Sequence, residues 1–402
     1  MITKKYKLGI LAILVIAVCA LYGISKSKGA SDWFDYNPSG REGTISAKNT
    51  IPTKYTAKVI QSLAYDKNEI GSSTGMYILS ALLANGVNGR AQEELLKAME
   101  TPALSKVNEI VQAQMSQQSS RVEIATSAWS KYFLSSYKEA IRKLYVDDKG
   151  VVDNSRMNAW VSEKTHGMID GLSIDVPFGE NIKYLLVNAI YFRDKWKDPF
   201  ETNDTYSERF YSFGEKTGGW GDRVDMMHKE DMYLPYYEDE ILQAIQLPYK
   251  TGDKMSILLP KIPFDLFIQD FKAEYLELSY ERKDIGEVAI PKFRIETEHD
   301  LMDLFKKWGI ETILTKEGYD YNQMVKRLES DGDNELVGFA AQKAKIEVEE
   351  NGTRAAVVTY AGGELTSVME EPKEIIFRAD HPFVFVINDG LFVGTYAKAA
   401  RY

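Results

Sequence analysis

Glu347-Val348-Glu349-Glu350-Asn351-Gly352-Thr353-Arg354-Ala355-Ala356-Val357-Val358-Thr359-Tyr360 is the stretch of this chain that decides its fold. It follows a strand-like run and leads into polar chain that ends at Pro372. At the two-residue period of a strand, Thr353, Ala355, Val357, Thr359 and Ala361 share one face, and Arg354, Ala356, Val358, Tyr360 and Gly362 share the other. One face is small and uncharged throughout, and the lone charge sits opposite, an arrangement that a merely exposed loop would not need. A surface loop with chance alternation is the competing reading.

Outward from this stretch, the N-terminal half is helical in pattern. Tyr55–Leu63, Met76–Ala84, Ala91–Met99 and Ser155–Met168 repeat apolar residues at i, i+3 and i+4. Strand patterns enter at Val122–Tyr132 and Lys183–Phe192. They then prevail through Arg223–Met227, Ile241–Leu247, Met255–Leu259, Gly286–Phe293, Leu336–Val348, Glu374–Phe377, Phe383–Ile387 and Leu391–Ala397. Helices first and strands later predict an α+β fold with large, mostly antiparallel sheets. No repeat or linker interrupts the chain after residue 50, so one domain over 51–402 is expected.

The 402 residues are 44% hydrophobic and 27% charged, the profile of a globular chain with a large core. Net charge is −10, and removing the five lysines of the first 30 residues leaves −15. That balance argues against a nucleic-acid or anionic-lipid surface on the folded part. Cys19 is the only cysteine, which excludes intramolecular disulfides, thiolate metal sites and a cysteine nucleophile from the folded region.

Cys19 itself lies in an uncharged run, Leu8–Ile24, preceded by Lys4, Lys5 and Lys7. Such a segment predicts export, with residues 1–28 as signal peptide or membrane anchor and 29–50 as a tether. Val15-Ile16-Ala17-Val18-Cys19 is close to a lipid-attachment box, although Val18 stands where a small residue is wanted. Cleaved signal, lipidated Cys19 and retained anchor are the open alternatives.

Catalytic patterns are sparse. Gly71-Ser72-Ser73-Thr74-Gly75 matches a G-x-S-x-G elbow, but Tyr65–Glu69 before it does not read as a buried strand, and a Ser/Thr cap for the following helix explains it as well. A hydrolase using Ser73, with His299 or His381 as base, is the remote alternative. His166, His228, His299 and His381 are isolated from one another, with no HExxH, so no metal site is expected. Neither GxxxxGK[ST] nor GxGxxG occurs, and no cofactor is indicated.

Glu349-Glu350 followed by Gly352-Thr353-Arg354-Ala355-Ala356-Val357-Val358-Thr359 resembles the serpin hinge E-E-G-T-E-A-A-A-A-T. Asn188-Ala189-Ile190-Tyr191-Phe192 with Lys195-Trp196 and Pro199-Phe200 is similar to that family's N-A-I-Y-F-K-G-x-W-x-x-P-F signature. Met157–Ile169 resembles the I-N-x-W-V-x-x-x-T-x-G-K-I helix. Phe377-Arg378-Ala379-Asp380-His381-Pro382-Phe383 with Phe392-Val393-Gly394 resembles F-x-A-D-H-P-F...F-x-G. The resemblance, which runs from about residue 55 to 402, implies a serpin fold with about nine helices, three β-sheets and an exposed reactive loop at 352–372. Together with the N-terminus it points to a prokaryotic, exported or tethered member.

The implied activity is irreversible protease inhibition. A protease cleaves the loop, and the freed segment inserts into the main sheet before deacylation. The resemblance assigns Glu350, Gly352, Thr353, Ala355, Ala356 and Thr359 to the hinge. Counting seventeen residues from Glu350 puts the scissile bond at Thr366–Ser367, with Leu365 or Met369 as alternatives. A Thr or Leu there suits an elastase-, chymotrypsin- or subtilisin-like enzyme. A non-inhibitory member, carrier or chaperone, is the other reading.

The resemblance also places Ser72, Asn188, Trp196 and Gln342 in the polar shutter and breach of the sheet. Two departures stand out: Ser72-Ser73-Thr74-Gly75 replaces S-P-x-S, and Gln342 replaces a common His. Asn188 is therefore expected to lack its usual partners. Thr353 is expected to face the core on insertion, where an arginine would strand a buried charge.

Overall fold

The computed structural model describes residues 49–116, 119, 121–151, 153–172, 182–212, 222–314, 323–326, 337–353 and 375–400. Helix α1 (Thr53–Ser62) leads into a three-residue strand, β1 (Glu69–Gly71), and then α2 (Ser73–Ala84), α3 (Gly89–Ala98) and α4 (Leu104–Met115). β2 (Val122–Trp129), α5 (Ser135–Lys143), β3 (Asp147–Gly150) and α6 (Asn154–Lys164) follow. Strands then dominate: β4 (Ile182–Phe192), β5 (Asp194–Lys195), β6 (Thr205–Phe210), β7 (Asp222–Glu238), β8 (Leu242–Pro248) and β9 (Lys254–Pro260). After α7 (Phe264–Gln269) come β10 (Glu281–Pro291), β11 (Phe293–Asp300) and α8 (Leu301–Lys307). β12 (Val337–Glu349), β13 (Gly352–Thr353), β14 (Ile376–Arg378), β15 (Phe383–Ile387) and β16 (Phe392–Tyr396) complete the described chain.

Two hydrogen-bonded sheets result. One runs β3-β2-β4-β12-β13-β5, with β11 on the other side of β12. The other runs β1-β16-β15-β9-β8-β7-β10-β14, with β6 on β7. What the resemblance counts as three sheets is spread over two networks, because the 17-residue β7 pairs with β6 and β10 and then continues to β8. Helix α2 is buried on every residue, which fits its uniformly apolar and small composition. It packs between the helical layer and β4, while α6 covers β2 and β4 from the opposite face through Met157, Trp160 and Val161.

Some boundaries differ from the sequence patterns. α6 stops at Lys164 because His166 (φ 51°) and Gly167 (φ 72°) turn left-handed, and the Thr165 hydroxyl bonds the last turn. Gly286–Phe293 straddles two strands, broken where Lys292 leaves the ladder. β1, which the sequence patterns do not mark and which shares only Glu69 with the stretch Tyr65–Glu69 read as no buried strand, pairs with β16 through three buried residues. The N-terminal assignments, Cys19 included, lie outside the described residues. Among the described residues no helix is long and apolar enough to cross a membrane.

Candidate functional site

β4 and β12 lie side by side and parallel, paired from Ile182–Val337 to Ala189–Lys343, where their ladder stops. Beyond that point β12 turns at Glu350-Asn351 and returns as β13, which sits between β12 and β5 and is antiparallel to both. The hinge read from the sequence is thus already two residues into the sheet.

Gly352 makes this entry sterically feasible. Its φ is +149°, and a Cβ there would lie 2.3 Å from the Asp194 carbonyl oxygen and 2.7 Å from the Lys195 Cα. Only glycine fits that approach. Thr353 follows, buried, with its Oγ1 2.6 Å from the Tyr249 hydroxyl. Tyr249 stacks on Trp196 at 4.5 Å and meets the edge of Phe192 at 5.1 Å. Burial pushes its phenol well above the ordinary range, so it remains a neutral hydrogen-bonding group.

The indole of Trp196 donates to the Glu349 carbonyl (2.9 Å), and its backbone N–H donates to Asn351 O (3.0 Å). The N–H of Phe200 donates to Glu350 O at 2.9 Å. The turn carbonyls are therefore satisfied by the Lys195–Phe200 segment rather than by water.

Glu350 is buried and paired with Lys292 at 3.0 Å. Burial works to raise its carboxyl pKa, but bonds from its own backbone N–H and from Lys292 hold it below the usual range. Opposite Thr353 in register lies Asp194, also buried, whose carboxylate accepts from Thr251 and the Lys195 N–H.

Farther down the same seam lies a polar knot. Ser72 caps α2, its Oγ accepting from the Gly75 N–H at 3.0 Å. The Ser72 N–H donates to Gln342 Oε1 at 2.7 Å, and Gln342 Nε2 donates to Ser72 O at 3.1 Å and to Asn188 Oδ1 at 3.4 Å. Asn188 Nδ2 in turn donates to Thr126 Oγ1 (3.0 Å) and Ala125 O (3.3 Å). Asn188 is therefore fully engaged, although two of the family's usual residues are absent.

The two departures fit each other. A Cβ on Gly75 would lie 2.0 Å from Asn188 Oδ1 and 2.2 Å from Gln342 Nε2. The space vacated at position 75 is the space the longer glutamine amide occupies. Beside it, His299 pairs with Gln342 across β11 and β12, and its Nε2 donates to Ile70 O at 2.8 Å. Burial lowers its pKa despite that bond, which favours the neutral ring.

The structure thus brings Glu350, Gly352, Thr353 and Trp196 together at one end of the seam, and Ser72, Asn188 and Gln342 together farther down. Ala355, Ala356, Thr359, Leu365, Thr366, Ser367 and Met369 lie outside the described residues. Tyr249, which follows β8, Lys292, between β10 and β11, and Thr126 of β2 had no signal in a single sequence, being unremarkable until the fold makes them neighbours.

Ser73 is no nucleophile. A strand does precede its helix, but the hydroxyl is fully buried, donates to Gly390 O at 2.7 Å and lies 3.2 Å from Thr56 Oγ1. His299 is committed to Ile70, and His381 to Asp380 (2.8 Å) and Pro260 O (3.0 Å). Among the described residues no cluster of three or more His, Cys, Asp or Glu could hold a metal.

A family model, Serpin (serine protease inhibitor), matches residues 49–398. The chain belongs to the serpin family. It is similar to Serpin-ZX of Arabidopsis thaliana, 26% identical over 389 residues, covering 87% of this chain and 97% of the plant protein. Antichymotrypsin-2 of Bombyx mori is 29% identical over 85% of this serpin and 96% of its own length. An uncharacterized serpin-like protein of Thermococcus kodakarensis is 33% identical over 240 residues, and there the match spans about half of the relative's length (52%). Among solved structures, the thermophilic serpin tengpin in its native state superposes with a TM-score of 0.75 at 21% identity, covering 91% of this chain and 98% of tengpin. Serpin48 of Tenebrio molitor gives 0.72 at 24% identity, covering 88% of this chain and 97% of its own.

Proposed function

We propose that this serpin is an irreversible suicide-substrate inhibitor of serine proteases, and of cysteine proteases that acylate in the same way. One observation carries the reading: a parallel pair, β4 and β12, with the start of a strand antiparallel to both already seated at its open end. Parallel pairing is slightly less stable per residue than antiparallel pairing. Admitting the rest of the hinge would replace one parallel ladder by two antiparallel ones and add a strand's worth of hydrogen bonds. Once a protease cuts the loop, nothing but the shutter knot opposes that gain. The acyl-enzyme is carried along with the loop, its active site is distorted, and deacylation fails. The inhibitor is consumed once.

The target is an elastase-, chymotrypsin- or subtilisin-like enzyme cleaving Thr366–Ser367, and the inhibitor acts as an exported monomer, extracellular or held at the cell surface by its N-terminal segment. The test is to mix the protein with a panel of serine and cysteine proteases and resolve the products under denaturing conditions. A complex that survives denaturation, with a released peptide beginning at Ser367, is expected. Cleavage of the loop by every protease with no such complex refutes inhibition and leaves the carrier or chaperone reading.

A further inference from the structure

Asn-Gly occurs three times in the chain, at Asn85-Gly86, Asn88-Gly89 and Asn351-Gly352. An asparagine before glycine carries its own reagent, because the next backbone nitrogen can attack the side-chain amide carbon and no Cβ on the glycine stands in the way. Asn85 is protected from this. Its amide donates to Ala81 O and Asn108 Oδ1 at 2.8 Å each and accepts from Asn108 Nδ2 at 3.1 Å, and the Gly86 N–H is taken by Leu83 O at 2.8 Å. Asn88 sits at the N-cap of α3 and is likewise engaged. Asn351 differs: it is half-buried in the two-residue turn between β12 and β13, and no hydrogen bond among the described residues uses its side chain.

The backbone here is held where the side chain is not. Trp196 and Phe200 occupy the carbonyls of Glu349, Glu350 and Asn351. β13 has two ladder positions on each neighbour, so the Gly352 nitrogen is kept in place by short pairing and by the buried Thr353–Tyr249 bond at 2.6 Å. Pairing this short opens locally at little cost. In the opened turn the Gly352 nitrogen bonds to Asn351 Cγ, the Cγ–Nδ2 bond breaks, and the amide nitrogen takes the Gly352 proton and leaves as ammonia. The cyclic imide then adds one water. Opening at one carbonyl gives aspartate, and opening at the other gives isoaspartate.

We infer that Asn351-Gly352 is a self-modification site at the turn into β13, and that the seat of Thr353 sets its rate. Aspartate keeps the backbone path and adds a charge. Isoaspartate routes the chain through the former side-chain carbon, which lengthens the turn, and leaves the Asn351 carbonyl that now accepts from the Trp196 N–H as a free carboxylate. The added length cannot be taken up toward β5, where an atom on Gly352 would already lie 2.3 Å from the Asp194 carbonyl oxygen. Gly352 and Thr353 then leave their register, and the Thr353–Tyr249 bond is lost. The isoaspartyl chain is a less stable form, made by water alone, whether or not the protein meets a protease.

The test incubates the full chain as wild type, Asn351→Gln and Tyr249→Phe in heavy-oxygen water at neutral pH, below the unfolding temperature. Peptide mapping by mass spectrometry reads the label taken up at positions 351, 85 and 88 over time. Wild type should label at 351 well ahead of 85 and 88, and Asn351→Gln, whose longer side chain closes a larger and slower ring, should not label at 351. Tyr249→Phe should label at 351 about fivefold faster or more, the equivalent of one lost hydrogen bond, with 85 and 88 unchanged. The isoaspartyl fraction, separated by ion exchange, should melt below the unmodified chain. Labelling at 351 no faster than at 85 or 88 overturns the inference, as do equal rates at 351 in Tyr249→Phe and wild type, or an isoaspartyl chain that melts with the unmodified one. A parallel rise at 85 and 88 in Tyr249→Phe marks general loosening and overturns the gating role of the Thr353 seat.

Discussion

Removing the Thr353–Tyr249 bond tests whether the hinge is seated in the intact chain in solution. Both groups are about 1% exposed and their hydroxyls are 2.6 Å apart. Thr353→Val strands the Tyr249 hydroxyl, and Tyr249→Phe strands the Thr353 hydroxyl. Leaving a buried polar group unpaired costs about 1–3 kcal/mol, whereas removing both partners is nearly neutral. Each single variant should therefore lower stability by about 1–3 kcal/mol. The double variant should lose much less than their sum, with a coupling of roughly 1–2 kcal/mol. Urea unfolding of the four proteins, followed by tryptophan fluorescence because Trp196 stacks on Tyr249, measures all four corners of the cycle. If Thr353→Val is as stable as wild type, Thr353 is not in the sheet in solution and the starting point assigned to insertion is wrong.

Gly75→Ser should destabilise by about 1–3 kcal/mol or more through overpacking against Asn188 and Gln342, and adding Gln342→His should recover part of that loss; thermal unfolding of both variants checks it. His299 has a folded pKa below its unfolded value, so the unfolded chain binds more protons in that window; stability should be full above about pH 6.5 and fall on acidification toward the folded pKa, and His299→Gln should flatten that slope in urea titrations. Glu350 behaves in the carboxylate sense: its contribution is present above the unfolded pKa of about 4.3 and is lost as pH falls through its depressed folded value, so Lys292→Met should weaken the acid dependence of unfolding. Thr366→Arg should move preference toward trypsin-like enzymes, read from inhibition rates against paired proteases.

The apolar periodicity of α1, α2 and α3 was legible because each buries a stripe or a whole face in the core. α5 was not, since its nine residues bury only Tyr137 and Ile141, too few to make a period. β1 escaped notice for a similar reason, as three residues carry no alternation. Of the hinge that the resemblance assigns, Glu350, Gly352 and Thr353 are seen in the fold, at the turn after β12 and in β13. The shutter was less legible: Gln342 and Gly75 look like two losses in the sequence and prove to be one exchange of volume, which only the packing of α2 on β4 and β12 displays. Tyr249 is invisible in the same way, since it acquires its role from Thr353, about 100 positions away.

The central claim is that a cut loop becomes a strand between β4 and β12, and the melting temperature of the loop-cleaved protein tests it most directly. Nicking the loop near Thr366 with a catalytic amount of protease leaves both fragments associated. Insertion of about 13 residues, at roughly 1 kcal/mol per new hydrogen bond, predicts a rise on the order of 20 °C over the intact chain. A cleaved protein that melts at the same temperature as the intact chain, or lower, contradicts insertion and with it the trap.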